Sequence, residues 1–177
     1  MTLRLVSLPL AVLALTSACS PSFDADLPEV EITQRGLRVP AVPAAMATGV
    51  VSVPGTFTLS SADTAWAKRM NSEVRVQRVT IVAGAGLPDL DFITCAHMTV
   101  ATLGRPETVV EIMNFDRGAG APAASIIQVE IPAPNDITGP WTADQTVIGF
   151  ELAGQLPTQD WTVDVTLKLS GKITYKY

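Results

Sequence analysis

The sequence contains few of the residues that build most reactive or metal-binding sites. It has 2 cysteines and 1 histidine among 177 residues, and only 6% of its residues are aromatic. A structural zinc site normally needs four Cys or His ligands, so this composition argues against one. The GxSxG, HExxH and P-loop patterns are also absent, which removes the corresponding hydrolase, metalloprotease and nucleotide-binding signatures.

Two further features are lacking: an excess of positive charge and a long apolar run after the N-terminus. Lys and Arg number 12 against 17 Asp and Glu, for a formal net charge of −5. Nucleic-acid binders need a clustered basic surface, so we expect no nucleic-acid partner. The acidic balance also disfavours electrostatic docking on anionic lipid. Beyond residue 18, no stretch has the roughly 18 consecutive apolar residues that a spanning helix needs.

Residues 1–18 have the pattern of a secretory signal. Arg4 is the one charged residue before Cys19, and the run from Leu5 to Ala14 is apolar except for Ser7 and Pro9. These are the charged and hydrophobic regions of a signal peptide, and together they are too short for a transmembrane span. We therefore expect residues 1–18 to be removed.

The signal ends in Leu15-Thr16-Ser17-Ala18-Cys19. This stretch resembles the lipobox of bacterial lipoproteins, in which a small residue precedes an obligatory Cys. The resemblance implies cleavage between Ala18 and Cys19, with palmitate-type acylation of the Cys19 thiol and of its new amino group. Several acyl chains at one site give stable anchoring. The residue after the Cys is Ser20, which by the same analogy favours the outer membrane. The alternative is an ordinary cleaved signal followed by a chance Cys.

The remaining chain divides into a short tether and one domain. Residues 19–28 are polar, acidic and interrupted by prolines, and are expected to form a lipidated tether. Residues 29–177 have the length of one ordinary domain. Its general pattern resembles small β-rich lipoproteins of Gram-negative bacteria, a likeness that implies no particular activity.

The C-terminal stretch from Trp161 to Tyr177 gives the clearest structural signal. Its odd positions are apolar and its even positions polar, with a gap at Gly171. Because successive strand side chains point to opposite faces, this pattern predicts a strand with one buried face. Its length predicts either a bend at Ser170-Gly171 or two strands that change partners there.

Similar but shorter alternations recur along the chain. They predict about eight strands, including Val74–Val82 with a bulge near Gln77-Arg78, and one short helix over Ser61–Met70. The fold expected is all-β and mainly antiparallel, an immunoglobulin-like β-sandwich of about eight strands with one short helix. The aromatic end at Tyr177 keeps a small eight-stranded outer-membrane β-barrel as an alternative.

Cys95 and His97 lie two residues apart in a predicted strand. If Cys19 is acylated, Cys95 has no disulfide partner within the chain and is expected to be a small buried hydrophobe. Side chains two apart share a strand face, so both could contact one metal ion. A Cys-His hydrolase would also need a third group to orient the imidazole, and the sequence offers no identifiable one.

Loop carboxylates offer weak metal-binding candidates. Asp89, Asp91, Asp136 and Asp144 lie in predicted loops. Calcium takes six to eight oxygen ligands, but none of these stretches has EF-hand spacing. The simpler interpretation is turn formation, because Asp side chains bond to nearby backbone in turns. We therefore expect no metal and no cofactor other than the covalent lipid.

Trp141 is the candidate partner contact, because it lies in a long polar loop and aromatic residues dominate binding hot spots. The competing interpretation is that Trp141 folds back onto the core. Loops 114–124 and 132–145 are the predicted partner surface, provided that they share one end of the sandwich.

The sequence thus predicts a non-enzymatic, lipid-anchored β-sandwich at the outer membrane, acting as an interaction or accessory module of the cell envelope with a protein partner. A calcium-dependent binder or envelope enzyme using the loop carboxylates is the alternative.

Overall fold

The computed structural model describes residues 22–46, 49–59, 72–118, 121, 124–132, 135–143 and 145–176. The signal sequence, Cys19, the helix predicted over Ser61–Met70, Asp144 and Tyr177 lie outside the described residues.

The described chain forms eight strands, one α-helix and one 3-10 turn. The strands are β1 (Ser22–Val39), β2 (Val51–Thr58), β3 (Ser72–Ala83), β4 (Ile93–Thr102), β5 (Arg105–Asp116), β6 (Ile126–Glu130), β7 (Thr146–Gly154) and β8 (Trp161–Lys176). Helix α1 (Thr138–Thr142) lies between β6 and β7, and the 3-10 turn (Ala44–Met46) between β1 and β2. No helix in the described ranges is long and apolar enough to cross a membrane.

The strands make two four-stranded sheets. The first sheet has the order β1-β8-β3-β6 and the second the order β2-β7-β4-β5, and all pairings are antiparallel. The predicted all-β, mainly antiparallel sandwich of about eight strands with a short helix is confirmed. No strand pairing joins the two sheets among the described residues.

The strand order follows a simple rule, because each early strand pairs with a late one. β1 pairs with β8, β2 with β7, β3 with β6, and β4 with β5. Rolling up one long hairpin produces this order, which is that of a jelly roll, with eight strands in two sheets. The immunoglobulin arrangement connects its strands differently. Side-chain alternation reports which face of a strand is buried, and carries no information about strand order.

β8 lies at the centre of the first sheet. Its odd-numbered side chains from Trp161 to Leu169 are each less than 5% exposed, which confirms the predicted buried face. β8 pairs with β1 and β3 on both sides of Gly171, so the predicted change of partners is wrong. The irregularities occur in its neighbours, and the shift in β3 between Val76 and Arg78 confirms the predicted bulge.

β1 begins earlier than the sequence suggested. Ser22 to Leu27 pair with Lys176 to Gly171 of β8, so most of the predicted tether over 19–28 belongs to a strand. Ala25 and Leu27 are half-buried and Asp26 is exposed, an alternation that the acidic and proline-rich composition obscured. The register shifts between Leu27 and Val30, which accommodates Pro28 in an edge strand, where a missing N–H costs least.

The core lies between the two sheets and is closed at both ends. At one end, the ring of Phe92 before β4 meets the ring of Trp161 edge-on, with centroids 5.0 Å apart. We call this the loop end, because the β1–β2, β3–β4, β5–β6 and β7–β8 connections lie there. The opposite helix end carries α1 and the β4–β5 hairpin, and α1 contacts β3, β4, β5 and β7.

A substitution at Gly154 tests how closely β7 approaches the chain before β4. A Cβ at Gly154 would lie 1.8 Å from the carbonyl oxygen of Phe92, so Gly154→Ala should lower the free energy of unfolding by more than about 2 kcal/mol. Gly86→Ala is the matched control, because its φ is also positive (+91°) but nothing lies within 4 Å. It should cost about 1 kcal/mol. Urea denaturation of the chain without its signal measures both, and equal losses would contradict the close approach.

Candidate functional site

Cys95 and His97 lie on the outer face of the second sheet. Cys95 is an exposed free thiol, so the prediction that it is buried is wrong. The register of β4 against β7 shifts between Ile93 and Cys95. Beyond this shift the side chains of Ala96 and Met98 are buried, whereas Cys95 and His97 lie on the opposite, outer face of the strand. A local shift of this kind cannot be read from alternation alone.

His97 is hydrogen-bonded to the carboxylate of Glu111 rather than to Cys95. Its Nε2 lies 2.7 Å from Oε2 of Glu111. Glu111 is opposite Thr99 in the sheet, so this bond lies toward the side of His97 that is farther from Cys95. The pair is half-exposed, with His97 and Glu111 side chains 40% and 54% accessible. This arrangement does not assemble the thiol and imidazole that a Cys-His hydrolase requires.

A shallow depression lies beside His97, where Gly149 leaves the surface without a side chain. Its volume is about 230 Å³, and its lining includes Thr56, Thr99 and Glu151. The Ser52 hydroxyl donates a hydrogen bond to Glu151. The depression is therefore shallow and open, and the Glu151 carboxylate at its edge is already hydrogen-bonded to Ser52 of β2.

The described carboxylates among the metal-binding candidates each accept a backbone amide. Asp89 Oδ1 accepts the Asp91 amide at 3.1 Å, and Asp91 Oδ1 accepts the Ala124 amide at 2.9 Å. Asp136 Oδ1 accepts the Thr138 amide at 2.9 Å, at the start of α1. In the part of the chain that the structure describes, no group of three or more His, Cys, Asp or Glu could hold a metal ion.

Arg117 ties two connections of the loop end together. Its side chain is 11% exposed and its Nη1 lies 3.5 Å from Asp91 Oδ1. Its Nε donates to the Ile93 carbonyl at 2.9 Å and its Nη2 to the Leu90 carbonyl at 3.2 Å. The β3–β4 connection is thereby held against the chain after β5. This role of Arg117 could not be predicted, because an Arg beside a Gly/Ala/Pro loop carries no sequence signal for such a contact.

Asp160 ties the other two connections. Its Oδ2 accepts from Arg38 Nη2 at 3.0 Å, and its Oδ1 accepts the Ala41 amide at 3.0 Å. The Val42 amide donates to the Pro157 carbonyl at 3.1 Å. These bonds hold the start of the β1–β2 connection against the β7–β8 connection, so the loop end is braced on both sides.

The braced loop end presents an apolar loop, defined as the described residues 40–46 and 49–50. All of these residues are uncharged, and the 3-10 turn within them has no buried residue. Met46 is 55% exposed and Val50 70% exposed. Clustered exposed apolar side chains are typical of contact surfaces. In the sequence, the signal for this loop is the concentration of Pro, Ala and Val from Pro40 to Pro54.

The helix end is closed by Trp141, which is 0% exposed. Its assignment as a partner contact is therefore corrected to a core position, as the competing interpretation held. The hydroxyl of Thr146, at the start of β7, donates to the Pro140 carbonyl at 2.8 Å and so holds α1 in place. The described residues of 132–145 thus lie at the helix end and those of 114–124 at the loop end, so the condition for one shared partner surface is not met.

Trp141 provides a test of the helix end. Trp141→Ala should lower the free energy of unfolding by about 3–5 kcal/mol, because a large buried ring is lost. Trp141→Phe should cost much less, since the indole Nε1 is buried without a hydrogen-bond partner and its removal sacrifices no bond. Chemical denaturation measures both variants. An unchanged stability for Trp141→Ala would show that the ring is not part of the core.

Comparisons with known proteins add no family. No protein-family model and no curated protein matches this chain. A solved structure from Desmodium yellow mottle tymovirus has a TM-score of 0.42 and 12% identity, covering 99% of this chain and 96% of its own. A triple jelly-roll chain of an archaeal virus scores 0.39 at 14% identity, covering 85% of this chain and 30% of its own.

The decameric BFDV capsid protein also scores 0.39, at 11% identity, and the match covers 86% of this chain and 99% of that one. Because all three TM-scores lie below 0.5, the fold rests on the strand pairing of the chain itself.

Proposed function

We propose that this chain is a non-enzymatic interaction module, held at the outer membrane by acyl chains on Cys19, that contacts a protein partner through its loop end. The observation that carries the proposal is the exposure of Met46 and Val50 on an end that Arg117 and Asp160 brace. The start of the apolar loop is held by bonds of the Ala41 and Val42 amides, and a segment that is already held loses less conformational freedom on contact.

The anchor is supported by the Leu15–Cys19 motif and by the charge of the chain. A net charge of −5 gives no electrostatic attraction to an anionic membrane. Stable association would then depend on the acyl chains, and more than one chain at Cys19 is sufficient for it.

The non-enzymatic part is supported by the bonds that the reactive candidates already make. His97 is bonded to Glu111, and Asp91 to Arg117 and the Ala124 amide. Calcium binding by Asp91 would require its carboxylate to give up the Arg117 and Ala124 contacts. No contact in the described chain favours the calcium-dependent or enzymatic alternative.

The anchor is tested by producing the full chain in a Gram-negative host. The mature protein should begin at Cys19, carry the added mass of acyl chains and partition into the detergent phase on phase separation. Cys19→Ser should remove the acyl mass and move the protein to the aqueous phase. A natural chain without acyl mass would contradict the anchor.

The partner surface is tested with two matched double variants. Met46→Asp with Val50→Asp changes the apolar loop, whereas Leu103→Asp with Val109→Asp places the same charges on residues that are 56% and 51% exposed elsewhere. Each should change the free energy of unfolding by less than about 0.5 kcal/mol per site. Chemical cross-linking in cells should give a protein adduct that falls at least tenfold in the first variant alone.

Equal adduct formation by the two variants would show that the apolar loop is not the contact surface.

A further inference from the structure

We infer that a strand ribbon, rather than a flexible linker, holds the domain at the bilayer, so that the helix end faces the lipid and the loop end faces away. The ribbon is Ser22–Leu27 of β1 paired with Gly171–Lys176 of β8. This inference rests on the proposed acylation of Cys19, and it adds the orientation in which the partner surface is presented.

The chain between Cys19, the proposed anchor, and Ser22, the first residue of β1, is short. Cys19 and Ser22 are three residues apart, and a fully extended chain spans at most about 3.6 Å per residue, or about 11 Å. β1 then runs from Ser22 to Val39, on the order of 55 Å along the sandwich. A link of about 11 Å is much too short to turn the domain over and bring the loop end to the lipid.

The ribbon is supported by pairing with β3 and by charged side chains on adjacent strands. β3 joins the ribbon at Ser72, which lies opposite Ile173. Lys172 lies between Asp26 of β1 and Glu73 of β3 in register, and opposite charges on neighbouring strands attract. At the base of the ribbon, Lys168 Nζ lies 2.6 Å from Glu29 Oε2. The ribbon is therefore part of a three-stranded sheet over half of its length, at Gly171–Ile173.

The outer faces of the two sheets carry acidic side chains beside their basic ones. The outer face of the first sheet carries a row in which Arg78 pairs with Glu31 and Glu130 at 3.5 and 3.4 Å. The outer face of the second sheet carries Glu111 and Glu151 beside His97. Neither of these two groups of side chains is net basic or apolar, so neither attracts an anionic bilayer.

This arrangement places the apolar loop on the order of 50 Å from the anchoring bilayer. A protein partner would bind the apolar loop at that distance from the bilayer, and the helix end would lie closer to the lipid.

Energy transfer to the bilayer tests the orientation. The full acylated chain, with Cys95→Ser, carries one new thiol at Leu103→Cys on the β4–β5 hairpin or at Gln159→Cys in the β7–β8 connection. Both positions are exposed. Each is labelled with a donor dye, and the protein is bound to preformed phosphatidylethanolamine and phosphatidylglycerol vesicles containing acceptor-labelled lipid headgroups. Transfer from Leu103→Cys should exceed transfer from Gln159→Cys several-fold.

A flexible insertion is the matched control. Twenty Gly and Ser residues between Pro21 and Ser22 behave as a random coil with a root-mean-square length of about 25 Å. The insertion leaves Cys19 and the ribbon unchanged and should bring the two transfer efficiencies together. An insertion that leaves the difference unchanged would show that the short link does not set the orientation.

The remaining outcomes separate this inference from the proposed function. Mass spectrometry of the purified chain first establishes whether Cys19 is acylated, and a chain without acyl mass overturns both. A chain that carries acyl mass but transfers energy equally from both positions, or more from Gln159→Cys, overturns the orientation and leaves the anchor intact.

Discussion

The burial of one face of β8 is the constraint on which the rest of the structure depends. Val163 to Leu169 contribute alternate side chains to the core at 0–3% exposure, and β8 pairs with β1 on one side and β3 on the other. Burying such a face is the main source of stability for a sheet. Register shifts in β1 and β3 lie opposite or next to the Leu169–Gly171 segment of the central strand. The ribbon of Ser22–Leu27 and Gly171–Lys176 forms because β8 continues beyond Gly171.

The rolled strand order decides where the connections meet. Because antiparallel strands reverse direction at each step, four connections gather at the loop end, while α1 and the β4–β5 hairpin close the other. Arg117 and Asp160 then brace the gathered connections with bonds to backbone and carboxylate groups. Met46 and Val50 are exposed at this end, in the loop whose start is held at Ala41 and Val42. Trp141, at the helix end, serves the core instead.

The polar candidates show why residue type alone predicts chemistry poorly. Asp89, Asp91 and Asp136 resemble ligands in the sequence, but each accepts a backbone amide in a turn or connection. His97 and Cys95 share a strand face, as their spacing predicts, yet the imidazole bonds to Glu111 from another strand. A partner that lies 14 residues away in the sequence cannot be identified from the spacing of two residues on one strand. Sequence spacing therefore located the surface, and the sheet register selected the bonds.

The sequence by itself determined the β-rich class, the buried face of β8 and the bulge beside Gln77, because a two-residue period directly reports which side of a strand is buried. Its N-terminal motif also supplied the anchor prediction, which is independent of the fold. The tertiary structure alone decided the strand order, the length of β1, the exposure of Cys95 and the opposite placement of the two long loops. Each of these depends on which strands pair and in what register, and pairing is set by contacts between residues far apart in the chain.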